Sequence, residues 1–144
     1  MAPRISSVLA FAVGSVAVLV ACSRSSKPSV TIQTPAEGDT VRGSAVHVTL
    51  GVSGIALAPA AEERPGTAHH HLFLDVDTGP LDQKIPSGVP GIIHLGRAQT
   101  EFHWDSVAAG PHRIIAALAD WSHVPEEPAA RAFRRSAVAL AHRV

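Results

Sequence analysis

The chain has 144 residues, with 12 Lys+Arg balanced by 12 Asp+Glu, and nine histidines. That length holds one domain plus an extension, and a formal charge of zero without a Lys/Arg cluster argues against nucleic acid as a partner. Cys22 is the only cysteine, so no disulfide can form within the chain and an apolar core must supply the stability.

The N-terminus reads as a targeting segment. "MAPR" carries one positive charge, "ISSVLAFAVGSVAVLVA" carries none, and Cys22 follows. A short basic start, an apolar stretch and small residues at the break are the marks of a secretory signal. The "LVAC" ending resembles the lipobox of bacterial lipoproteins, which implies cleavage before Cys22 and lipid attachment to it. The resulting expectation is a signal peptide over 1–21, a lipidated Cys22 with a flexible serine-rich tether over 22–29, and a domain over 30–144. Removal of Arg4 leaves 11 Lys+Arg against 12 Asp+Glu, a charge of −1. Such a protein is anchored in the cell envelope by its lipid, on the periplasmic face of the outer membrane in a Gram-negative host.

Beyond the tether the pattern is that of short strands. "VTIQT" (30–34) alternates, and "PAEGDTVRG" is turn chemistry. "SAVHVTLGV" (44–52) sets Val46, Val48 and Leu50 on one face and His47 on the other. "SGIALAPAAEERPGTA" reads as a long loop, "HHHLFLDV" (69–76) as a strand, and the Gly- and Pro-rich "DTGPLDQKIPSGVPG" as another loop. "IIHL", "TEFHWD" and "HRIIAALAD" are strands, with Phe102 and Trp104 placed in the core. "WSHVPEEPAARAF" is loop, and the alanine-rich end from Ser136 to Val144 reads as a strand in preference to a helix. The fold class expected is a small all-β, antiparallel Ig-like β-sandwich after an N-terminal signal helix.

The phrases "HHHLFLDVD", "PLDQKIP", "IIHLGRAQTE", "GPHRIIAALAD" and "SHVPEEP" occur in one order. Together they resemble the bacterial family called domain of unknown function 4399, over roughly Val30 to Val144. The resemblance implies an exported, β-rich domain and brings no established activity with it. His69, His70, His71, His94, His112 and His123 fall on the family pattern, whereas His47, His103 and His142 do not. The family's last loop carries a second histidine where this chain has Glu126.

Alternation puts His69 and His71 on the outer side of their strand and His70 with Leu72 and Leu74, as a buried structural histidine. His94 can join either face, His112 fits a structural place at the core edge at least as well as ligation, and His123 lies in a loop suited to closing over a site. Asp75 and Asp77 read as solvated turn residues. No HExxH, P-loop, dinucleotide fingerprint or nucleophile elbow is present, so the expectation is a protein that is not an enzyme. The metal-ligand candidates are His69, His71, His94 and His123. They rest on the spacing of the pair, the lack of sulfur ligands and the match of all four to one family. Imidazole suits Cu(II) or Zn(II). The alternative is an envelope interaction module that binds a protein or cell-wall partner, with structural histidines.

Overall fold

The structure, a computed structural model, describes residues 27–80, 82–125 and the backbone of 134–141. The expected signal peptide, Cys22, Glu126 and His142 lie outside the described residues.

In chain order the strands are β1 (Ser29–Thr34), β2 (Thr40–Arg42), β3 (Val46–Ser53), β4 (Ala56–Leu57), β5 (Thr67–Leu74), β6 (Ile92–Leu95), β7 (Glu101–Trp104), β8 (Gly110–Ala119) and β9 (Arg134–Ala141). They form two sheets. The smaller is antiparallel, in the order β1-β3-β7, and the larger runs β2-β9-β8-β5-β4, with β6 also pairing β5. The alternating apolar residues explain how they face one another. Val30, Val46, Val48 and Leu50 of the small sheet meet Ala68, Leu72, Leu95, Ile114, Ala116 and Leu118 of the large one in a single cluster. Each large aliphatic side chain buried there contributes about 1.5–3 kcal/mol. The all-β sandwich is the expected one, and the C-terminal segment is a strand over Arg134–Ala141.

Four details depart from the expectation. The turn segment contains β2, and the long loop contains β4 and a 3-10 turn at Ala60–Glu62. Both short strands pair in parallel, β2 with β9 and β4 with β5. At two or three residues they are too short to show a period. Phe102 and Trp104 are half-buried, packed edge to face with centroids 5.1 Å apart against the rim of the core. They are not inside it, because β7 is a four-residue edge strand.

The fourth departure matters most for the site. The outer face of the large sheet is not bare. Phe73, Ile115, Ala117 and Ala119 form a second buried cluster with Ile85 from the loop between β5 and β6, and Val76 and Ile92 pack on it. The Pro- and Gly-rich loop is therefore a lid with its own anchor, and β5 and β8 are covered on both faces.

Candidate metal centre

Strand β5 supplies the first two imidazoles. Its even positions, Ala68 and Leu72, point into the inter-sheet core, so His69, His71 and Phe73 point outward. They do not reach solvent: His69 is 1% and His71 2% exposed. The outer imidazoles of the sequence reading are buried ones. Register decides the side taken by His94. It lies directly opposite His71 in the antiparallel β5–β6 pair, so both side chains share a face. On the other flank, Ala119 lies opposite His69 and Ala117 opposite His71. These small residues leave room above the sheet.

His123 fills that room. After β8 the chain turns back, and Pro125 bridges to Ala119. The turn is closed by backbone bonds from Asp120 N to Val124 O (3.1 Å) and from His123 N to Asp120 O (2.9 Å). The Asp120 carboxylate accepts from Ser122 Oγ (2.6 Å) and Val124 N (3.1 Å). These bonds hold His123 at φ 67°, in the left-handed region that costs a residue with a side chain about 1–2 kcal/mol. Ile85 N donates to His123 O at 2.9 Å, which ties the lid to the same turn.

The four rings converge. His69 Nε2 lies 3.0 Å from His71 Nε2, and His94 Nε2 lies 3.2 Å from His123 Nε2. One ligand atom from each ring can be chosen so that all four lie within 4.8 Å of one another. Four nitrogens bound at 2.0–2.1 Å around a tetrahedral ion sit about 3.3 Å apart. The two close contacts already match that spacing, and the wider ones need a small contraction. Two of the rings are buried and His94 is exposed, so the cluster opens to solvent on one side.

Electrostatics keep the buried pair neutral. Burial, reinforced by the neighbouring His94 and His123, lowers the His69 pKa to about 4, with Asp120 opposing the shift. Burial, then His69, His94 and His123, takes His71 down to about 2. His94 is lowered as well, by burial and then by His123. Neutral imidazole is the form that binds metal. His71 Nδ1 is buried without a hydrogen-bond partner among the described residues.

Several supporting residues carry no sequence signal of their own. Gly96 is one. A Cβ there would sit 2.5 Å from His94 Nε2 and closer still to Cε1. The bare backbone is what lets the His94 ring lie over it. His70 is fully buried on the core side and donates from Nδ1 to Gln99 O at 2.9 Å. His112 stands apart, donating from Nδ1 to Asp75 Oδ2 (2.6 Å) and from Nε2 to Ala108 O (2.9 Å). Both ring nitrogens face acceptors, and the bond to Asp75 raises the His112 pKa. Asp75 and Asp77 are more than solvated turn residues: Asp75 also accepts from Arg113 N, and Asp77 pairs with the Arg113 guanidinium at 2.7 Å. A separate cleft of about 270 Å³, lined in part by Asp77, Lys84 and Ile92, contains none of the four clustered histidines.

Fold and site together define an all-β sandwich with four converging imidazoles on the outer face of its larger sheet. The chain belongs to the family described as Domain of unknown function (DUF4399), which matches residues 48–133. That span contains all four histidines and is narrower than the Val30–Val144 extent of the resemblance. No curated protein matches the sequence. Among solved structures, the chain is similar to a crystal structure of an engineered protein, with 17% identity and a TM-score of 0.49 over 81% of this chain and 21% of that one. It is also similar to the fibronectin(III)-like modules of CbhA from Clostridium thermocellum, with 14% identity and a TM-score of 0.46 over 80% of this chain and 99% of that one.

Proposed function

We propose that the protein binds one divalent transition-metal ion, Zn(II) or Cu(II), through His69, His71, His94 and His123, and that it does so without catalysing a reaction. The convergence of four imidazole nitrogens within 4.8 Å carries this reading. Four protein ligands fill a tetrahedral shell, as in closed sites, whereas catalytic zinc sites keep a position open for water or substrate. An all-nitrogen set is borderline in softness and suits both ions. The exposed His94 edge gives the ion a way in and out, which fits a carrier or store of metal.

The test is calorimetric titration at pH 7.5 with Zn(II) and Cu(II). One ion should bind tightly per chain, and at 100 times its dissociation constant it should add about 2.7 kcal/mol to the unfolding free energy. A chain that takes up no ion above background refutes the reading and favours structural histidines in an interaction module.

The "LVAC" ending supports a lipid anchor at Cys22 in the bacterial envelope. Mass spectrometry of the chain recovered from its host should then show residues 1–21 removed and an acylated Cys22. An intact Met1 with a free thiol contradicts the anchor.

A further inference from the structure

The outer face of the small sheet carries a second pair of histidines that the four-histidine cluster does not use. His47 on β3 and His103 on β7 are directly opposite in register. Their neighbours Val46, Val48, Phe102 and Trp104 turn toward the core, so both imidazoles turn to solvent. The rings are stacked, with centroids 3.9 Å apart and planes within 4°. Glu101, two residues before His103 and on the same face, places Oε2 3.2 Å from His47 Nε2.

We propose that His47, His103 and Glu101 form a second, solvent-exposed site for a divalent transition-metal ion such as Zn(II). Two imidazoles and one carboxylate make a nitrogen–oxygen donor set of the borderline kind that Zn(II), Ni(II) and Cu(II) accept. Residues directly opposite on antiparallel strands hold their Cβ atoms about 4.5–5.5 Å apart, within reach of one ion for two imidazoles. In the stack the nitrogen lone pairs lie in parallel planes, so capture requires the rings to turn and splay. His47, His103 and Glu101 are all exposed, so their side chains can turn on the solvent side of the sheet. Three protein ligands leave positions for water, so this site holds its ion more weakly and exchanges it faster than a four-ligand site. The proposal does not depend on the four-histidine reading.

The test is calorimetric titration of the full chain with Zn(II) at pH 7.5. Wild type should show a tight and a weak event. The double variant His47→Ala with His103→Ala, altered only at exposed positions, should lose the weak event and keep the tight one. Glu101→Gln should weaken it by about tenfold or more, the least that loss of an outer-shell partner costs a metal site. The double variant His69→Ala with His71→Ala should keep the weak event alone. If wild type shows a single event that disappears with His47 and His103, this site stands and the four-histidine reading fails. If every event seen in wild type survives the loss of His47 and His103, the proposal is overturned and the stack is only a cross-strand contact.

Discussion

Replacing His69 and His71 together by Ala should abolish tight metal binding, with affinity falling by more than about 100-fold. These two rings are the buried half of the cluster, and no other imidazole among the described residues stands close enough to take their place. The β5 backbone ladder does not depend on them, so the circular dichroism spectrum should remain that of the wild type. His103→Ala should leave the tight event intact. Acid adds a second expectation for the same pair. An exposed imidazole takes up a proton near pH 6.5 and lets its ion go. Here His69 stays neutral down to about 4 and His71 to about 2, because burial disfavours the charged form. The ion should therefore remain on these two ligands at pH 5.5 and leave as pH approaches 4, a lower point than spacing alone suggests. Metal-free protein should also be weakened by acid. Below pH 6.5 the unfolded chain binds protons that the folded one refuses, down to about 4 at His69 and about 2 at His71, so stability falls as pH falls through that window. Metal titrations at pH 7.5, 5.5 and 4 check the first expectation, and urea unfolding of the metal-free chain at the same pH values checks the second. A double variant that binds as tightly as wild type would remove these histidines from the account.

Phe73→Ala should destabilise the domain by about 3–5 kcal/mol, the usual range for a large aromatic side chain removed from a core. That is a large share of the 5–15 kcal/mol typical of a whole domain. Phe73 is fully buried on the outer face of the large sheet, between Ile115 and Ala117 of β8 and Ile85 of the lid. Its loss leaves a cavity that the sheet cannot collapse into, because β5 is held by β8 on one side and by β6 on the other. The lid also bonds to His123 through Ile85 N, so metal affinity should drop along with stability. Urea unfolding gives the first quantity and titration the second. A stability loss below about 1 kcal/mol would mean that the lid does not pack on Phe73 as described.

Much of this was legible in the sequence, for a physical reason. Period-2 alternation sorts His69 and His71 to one face and His70 to the other whatever the rest of the chain does. The side taken by His94 was not legible, since it depends on the register His71↔His94 and a shift of one residue would reverse it. The burial of the pair was not legible either. It comes in part from His123, whose ring reaches the pair from a loop with a path set by tertiary contacts. Gly96 reads as an ordinary turn glycine until the His94 ring is seen lying over it. Phe102 and Trp104 show the reverse error, because a strongly apolar face says nothing about whether its strand lies at the centre or the edge of a sheet.

X-ray absorption at the zinc edge, on the chain loaded with one equivalent of Zn(II) at pH 7.5, counts the imidazoles on the ion. Binding by His69, His71, His94 and His123 should give four nitrogen neighbours at about 2.0–2.1 Å with the outer-shell scattering of imidazole rings. Two or fewer imidazoles, with the shell completed by water or carboxylate oxygen, would contradict it.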